Sequence, residues 1–303
     1  MYQRFLSFLS DREVRDTFVY AGDSLSRLTS FRIGGTCAFS VFPGSEESFL
    51  ISVDFFSQET YPYKILGRGS NILASDSGYG GAVIRTDRLN SLSFSDREIC
   101  AGCGLALPRL CYSASCRGIS GFSHLFGIPG SLGGAIYMNA GAYGETIGQR
   151  VVFVRAYSPK TRKIISLPAD ECGFSYRKSL FQSEKNLILG AILTGGAGDA
   201  PALKASCRET MTRRRASQPL GFPSAGSIFL RPEKGYAGAM IEGAGLCGLS
   251  VGGATVSSRH AGFIVNAGGA TATEVKELIR IVRKAVYEKY GVLLETEIEM
   301  LGE

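Results

Sequence analysis

An α+β fold of three consecutive units is predicted by three features of the sequence. Helical and strand patterns alternate along the whole chain, glycine-rich turns follow short apolar strands, and a polar GGAGDAP turn precedes a long basic helix. The units are expected over 1–88, 89–200 and 201–303. With 303 residues, 45% hydrophobic and 20% charged, the chain can bury a substantial core. Its 39 glycines are the anomaly, roughly 13% against a usual level of about 7%. They show no three-residue period and prolines number only 10, so neither a collagen-like fibre nor a disordered chain fits.

In the first unit, an opening helix (Phe5 to Val14) leads to LTSFRIGG and a short strand around Ala38 to Phe42. Ser45 followed by Glu46 and Glu47 marks a capped helix start. The strand YKIL then enters GRGSNILASDSGYGGAVIRT, a glycine-rich turn followed by another strand. The second unit reads as a strand, a helix (Leu105 to Cys116), a long glycine loop, and strands near Val151 to Ala156, Lys163 to Ser166 and Leu187 to Leu193. The third opens on a basic helix (Ala202 to Arg215). Its later helix has a capping-box pair, Thr271 and Glu274, an apolar stripe of Val275, Leu278, Ile279, Val282 and Val286, and Gly291 as the stop. The segment VLLETEIEML predicts a final strand with Glu295, Glu297 and Glu299 on one face and Leu294, Ile298 and Met300 on the other.

The net charge of +6 comes from basic residues spread along the chain, which suits small anionic ligands. No basic stripe interleaved with aromatics marks a nucleic-acid module. The N-terminal residues do not form a secretory signal, so a cytoplasmic location is expected, with the 8 cysteines reduced. Cys100 and Cys103 have redox spacing, but packing is the favoured reading because no helix and no second pair follow. The uncharged run Gly118 to Gly144 exceeds the about 20 residues that cross a bilayer. Its many glycines, with Pro129, His124 and Asn139, exclude a lipid-exposed helix.

Two loops point to a phosphate-bearing ligand. Gly67 to Asn71 (GRGSN) follows a strand, and its glycines let successive backbone N–H groups form a concave nest, with Ser70 and Asn71 adding donors. An ordinary tight turn fits that motif equally well. GIPGSLGGA (127–135) is more specific: four glycines, a proline and a serine define a backbone path that something approaches closely. A diphosphate facing a helix start at Leu132 is the natural candidate, and two such loops suit a dinucleotide. The match to G-x-G-x-x-G at Gly243, Gly245 and Gly248 follows a helical stretch and lacks the Rossmann context. No P-loop occurs, and the histidines and carboxylates have no metal-ligand spacing.

Other residues stay ambiguous on their own. Ser227 in FPSAGSIF reads as a turn residue before an apolar strand; it lies in no G-x-S-x-G elbow. Arg177 in FSYRKSLF and Glu297 read as surface charges, and Arg213 to Arg215 as a solvated helix end. His260 either contacts a ligand or satisfies a buried carbonyl.

Taken in order, SFRIGG, GRGSNIL, GIPGSLGGAIYMNAGAYG, FSYRKSLF, PSAGSIFLRP, HAGFIVN and LETEI resemble the UDP-N-acetylenolpyruvoylglucosamine reductase family of peptidoglycan precursor synthesis. The likeness spans nearly the whole chain and is to the shorter type, without the extra tyrosine-bearing loop. It implies an FAD-binding fold of the p-cresol methylhydroxylase/vanillyl-alcohol oxidase type, made of two α+β subdomains, followed by an α+β substrate-binding domain. FAD and NADPH are the implied cofactors, and UDP-N-acetylglucosamine enolpyruvate the implied substrate. The resemblance assigns cofactor contacts to Gly67, Arg68, Gly69, Ser70, Asn71, Ile128, Pro129, Gly130, Ser131, Gly134, Asn139, Gly141 and Arg214. It assigns substrate contacts to Tyr176 and Arg231.

The same resemblance implies hydride delivery from flavin N5, with Arg177 and Glu297 polarising the substrate carboxylate and its enol form, and Ser227 supplying the proton. A carboxyl facing an enolate must be protonated or hydrogen-bonded, so a raised pKa is expected for Glu297. Two residues depart from the family pattern. Ser217 stands where lysine often precedes Gln-Pro, and Leu230 stands where a polar residue precedes Arg231; Arg214 or Arg215 would supply the missing charge. The alternatives are a flavin-dependent oxidase of the same fold, which does not need the trio together, and a non-catalytic flavin or nucleotide-sugar binder, in which the trio would be replaced.

Overall fold

A computed structural model describes residues 1–302 of the chain. They form two compact units. The first comprises Met1–Ala21, Phe39–Arg68 and Gly81–Arg213; the second comprises Gly22–Ala38, Gly69–Gly80 and the chain from Arg214 onward. The sequence pattern divides the chain at 88 and 200, in chain order, whereas the second unit also recruits two short early segments.

The first unit holds two two-stranded sheets and two larger ones. One has the spatial order Phe18–Ala21, Cys37–Phe42, Tyr79–Arg85, Tyr63–Leu66; its first pair is antiparallel and its last parallel. The helices Tyr2–Asp11 and Glu46–Gln58 contribute an aromatic cluster in which the Phe5 and Phe56 rings lie 4.7 Å apart and Phe39 packs against both. Glu46–Gln58 starts as its sequence predicts: Ser45 Oγ accepts from Ser48 N–H, and Ser48 Oγ accepts from Ser45 N–H. The opening helix lies three residues earlier than expected and has ended before Glu13, whose φ of +55° is incompatible with a continuing helix.

The other sheet is antiparallel, in the order Lys163–Pro168, Val151–Ser158, Leu187–Thr194, Glu98–Gly102, Leu92–Ser95. Ile99, Val154 and Leu193 from its strands share a core with Leu107 and Leu110 of the helix Leu107–Cys116 and with Leu132 and Ile136 of the helix Leu132–Tyr137. The former helix begins at Leu107 rather than Leu105, because Pro108 occupies its first turn, where no N–H is missed.

The second unit carries a four-stranded antiparallel sheet in the order Ser224–Ser227, Phe263–Asn266, Ala254–Val256, Ser250–Val251. The helix Ala272–Tyr290 covers it and buries Val275, Leu278, Val282 and Val286, the predicted stripe. Thr271 and Glu274 form the capping box and Gly291, at φ +66°, ends the helix. Asp76 adds a second cap: its carboxylate accepts from Ala272 N–H (2.7 Å), Thr273 N–H (2.9 Å) and Thr273 Oγ1 (2.8 Å). Burial pushes the Asp76 carboxyl up, but these hydrogen bonds and nearby Lys276 outweigh it and hold the pKa below the usual value.

The expected final strand is shorter than predicted. Only Glu299–Leu301 forms a strand, parallel to Ile72–Ala74. Upstream, Thr296 makes a single antiparallel bridge to Phe229, flanked by Leu230 N–H to Glu295 O and Glu297 N–H to Ile228 O, both near 2.9 Å. The chain thus changes partner between Glu297 and Glu299, which the residue alternation alone does not encode.

Candidate active site

Gly67 of the first glycine-rich turn meets Ser131 of the second within the first unit. Ser131 caps the helix Leu132–Tyr137, its Oγ accepting from Gly134 N–H at 3.4 Å, and the side chain is buried. A Cβ on Gly67 would collide with that hydroxyl, and one on Gly134 would stand 3.5 Å from it. Gly67 therefore makes room for the Ser131 hydroxyl, whereas Gly134 would admit a Cβ at ordinary contact distance, and Arg68 is exposed next to Gly67. Other glycines serve internal packing: a Cβ on Gly133 would lie 2.9 Å from Cys103 Cβ, and one on Gly69 (φ +62°) would strike the Leu28 carbonyl. Several of these glycines thus admit the protein's own atoms.

Tyr176 and Arg177 occupy the tip of a tight turn closed by two hydrogen bonds, Ser175 N–H to Lys178 O and Lys178 N–H to Ser175 O, each 3.1 Å. Arg177 has φ +55°, a conformation a non-glycine residue adopts only when its surroundings impose it. Its Nη2 donates to Gly141 O at 3.3 Å and its guanidinium lies 5.1 Å from the Tyr176 ring centroid. Gly141, predicted as a cofactor contact, thus orients Arg177 through its carbonyl. Asn139 is buried at φ +41°; its Nδ2 donates to Ser175 O (2.8 Å) and its Oδ1 accepts from Gly148 N–H (3.0 Å).

In the second unit, Ser227 ends a bulged strand. Ser224 pairs with Val265 and Ser227 with Phe263, leaving two residues opposite one, and Gly226 absorbs the extra residue at φ +80°. Such a bulge re-aims the side chain that follows it. Glu297 lies beside Ser227 through the hydrogen bond from its N–H to Ile228 O. Asn71 brackets Glu297: its Nδ2 donates to Glu297 O at 3.1 Å, and its own carbonyl accepts from Glu299 N–H at 2.9 Å. Ser227, Glu297 and the GRGSN residue Asn71 thus come together, while Arg177 belongs to the first unit.

Arg214 departs from the solvated helix end expected for the Arg213–Arg215 run. It lies in the last turn of the helix Ala200–Ser217 and is buried, with Nη1 at 3.4 Å from Gln218 Oε1, whereas its two neighbours are exposed. Arg231 stacks on exposed Tyr236, 4.7 Å from guanidinium carbon to ring centroid. Tyr236 was not singled out in the sequence; an aromatic five residues after a candidate arginine was the available signal. His260 Nδ1 accepts from Gly262 N–H at 3.2 Å, and burial holds its pKa below the ordinary value. Cys103 is buried and its thiol is pushed up to about 12 by burial and then by Glu46, which agrees with packing; Cys100 is exposed.

Residues 218–301 match the model of the UDP-N-acetylenolpyruvoylglucosamine reductase C-terminal domain, and residues 37–162 match an FAD binding domain. The UDP-N-acetylenolpyruvoylglucosamine reductase of Fervidobacterium nodosum is 42% identical over 93% of this chain and 91% of its own. The chain belongs to the UDP-N-acetylenolpyruvoylglucosamine reductase family. The Pseudothermotoga lettingae member is 44% identical over 90% of this chain and 94% of its own. The crystal structure of the family member from Thermus caldophilus superposes with a TM-score of 0.80 at 28% identity, covering 94% of this chain and 98% of that one. Berberine bridge enzyme from Eschscholzia californica, at 17% identity and a TM-score of 0.50, shares the fold over 63% of this chain and 43% of its own.

As a family member with an FAD-binding domain, the chain is an FAD-dependent oxidoreductase whose fold joins that domain to a C-terminal α+β domain. The residues fit the cofactor in kind: Gly67 lets the first glycine-rich turn pack against Ser131, and the exposed Arg68 cation beside it suits a diphosphate. Among the described residues no group of three His, Cys, Asp or Glu side chains could hold a metal ion, and no helix is long and apolar enough to cross a membrane.

Proposed function

We propose that the chain reduces UDP-N-acetylglucosamine enolpyruvate to UDP-N-acetylmuramate in the cytoplasm, with NADPH as the reductant. FAD, held by Gly67–Asn71, Ile128–Ser131, Gly134 and Arg214, would supply hydride chemistry at the terminal carbon of the enolpyruvyl double bond, with NADPH as the source of the hydride. Charge then develops at C2 and the adjoining carboxylate. Arg177, pre-set by its strained backbone and its bond to Gly141, holds that carboxylate and stabilises the developing enolate. Glu297, as a protonated carboxyl, donates to the same group, and Ser227 delivers a proton to C2. Arg231 and Tyr176 contact the nucleotide sugar, while Gly67–Asn71, Ile128–Ser131, Gly134 and Arg214 serve the cofactor. In this reading 1–88 and 89–200 correspond to the two FAD-binding subdomains.

The observation that carries the reading is the clustering of Ser227 and Glu297 by main-chain hydrogen bonds, with Asn71 of the glycine-rich turn fastened to Glu297. The test is mass spectrometry of the product after incubation with FAD, NADPH and the enolpyruvyl sugar. A product two hydrogen masses heavier than the substrate is expected; unchanged substrate overturns the reading.

A further inference from the structure

We propose that Asn139 is a positioning residue for Arg177, holding the Tyr176–Arg177 turn through its side-chain carboxamide. The inference rests on the reading of Arg177 as the carboxylate-binding cation. Both ends of the Asn139 amide are used inside the protein: Nδ2 reaches Ser175 O at 2.8 Å, and Oδ1 accepts from Gly148 N–H at 3.0 Å. Ser175 is the residue that closes the turn, so its carbonyl accepts both the turn bond from Lys178 N–H and the Asn139 amide. Asn139 is buried and sits at φ +41°, strain that persists only where its contacts compensate for it.

The same stretch of chain grips the far side of the turn. Tyr137 O accepts from Ser179 Oγ (2.7 Å) and Gln182 Nε2 (3.0 Å), and Gln182 Nε2 also donates to Arg177 O at 3.0 Å. Residues 137–141, which leave the helix capped by Ser131, therefore hold the turn at Ser175, Arg177 and Ser179. Small errors in the placement of a reacting group are costly, so an arginine on a two-residue tip needs this external hold. The carboxamide that family resemblance assigns to the cofactor is spent on the substrate-facing turn.

The test uses the FAD-loaded full chain with Asn139→Asp, which keeps the acceptor for Gly148 but sets a carboxylate oxygen against Ser175 O. Asn139→Gly, which relieves the strained φ, serves as a second variant. Hydrogen exchange at the Ser175 and Lys178 amides reads the turn, and reoxidation of photoreduced flavin by the enolpyruvyl sugar reads its consequence. Exchange is expected to accelerate at least about tenfold in both variants, and reoxidation to slow on the order of ten- to a hundredfold, with FAD content and absorption spectrum unchanged. Combining Asn139→Asp with Arg177→Ala is expected to slow the reaction no further than Arg177→Ala alone. Wild-type exchange rates, loss of FAD with unaltered exchange, or fully additive losses overturn the proposal. Should Arg177→Ala itself reoxidise at the wild-type rate, the role of Arg177 fails, and exchange alone then decides whether Asn139 holds the turn.

Discussion

The turn bearing Arg177 and the strand bearing Ser227 present their side chains by different means. Arg177 stands on a two-residue tip at positive φ, held from outside by Asn139, Gln182 and the Gly141 carbonyl. Ser227 stands on a sheet, aimed by a bulge whose strain falls on Gly226 and whose neighbours are tied by main-chain hydrogen bonds. A side-chain hold can be loosened by one substitution, whereas a main-chain ladder yields only to changes of backbone conformation. The group proposed to stabilise charge therefore depends on its surroundings, and the group proposed to move a proton is built into the sheet.

The largest effect is expected at the chemistry. Ser227→Ala should leave flavin content and sheet unaltered while slowing reoxidation by the substrate about 10²- to 10⁴-fold, the usual worth of a positioned proton donor, as read by stopped-flow absorbance. A wild-type rate would remove Ser227 from the mechanism. A smaller effect is expected from Gly226→Ala. Nothing lies within 4 Å of the added Cβ, so only the φ of +80° is penalised, at roughly 1–2 kcal/mol, seen as a lowered denaturation midpoint with a modest loss of rate. An unchanged midpoint would show that the bulge does not need a left-handed residue.

The smallest effect concerns Asp76, a side-chain anchor of the second unit. Its folded-state pKa is depressed, so its contribution is present above the unfolded pKa and lost as pH falls through the folded one. Thermal melts of wild type and Asp76→Asn should differ at neutral pH, with wild type more stable, and converge in acid. A gap that persists below that range would assign the effect to shape rather than charge.

Local signals in the sequence were legible where local forces decide. The Ser45 and Thr271 caps, the Gly291 stop and the apolar stripe of the last helix all depend on residues within a few positions of one another. Gly67 and the Ser131 loop could be read as special, but their meeting could not, because 64 residues separate 67 from 131 and no periodicity encodes that contact. The same reason hid the recruitment of 22–38 and 69–80 into the second unit and the partner change between Glu297 and Glu299. At the candidate site, Ser227 and Glu297 are linked in the sequence only through family likeness; as isolated residues they read as a turn residue and a surface charge. Asn71 and Asn139 read as cofactor contacts; the bonds they make to Glu297 O and Ser175 O could not be read, since an amide's partner cannot be known until the fold supplies it.

The central claim is that one flavoprotein carries both halves of the reaction. An anaerobic absorption series tests it directly: oxidised protein, then NADPH, then UDP-N-acetylglucosamine enolpyruvate. The account predicts a flavin band that bleaches with NADPH and returns in full on adding the sugar. A band that bleaches and stays bleached, or protein that takes up no flavin at all, would contradict it.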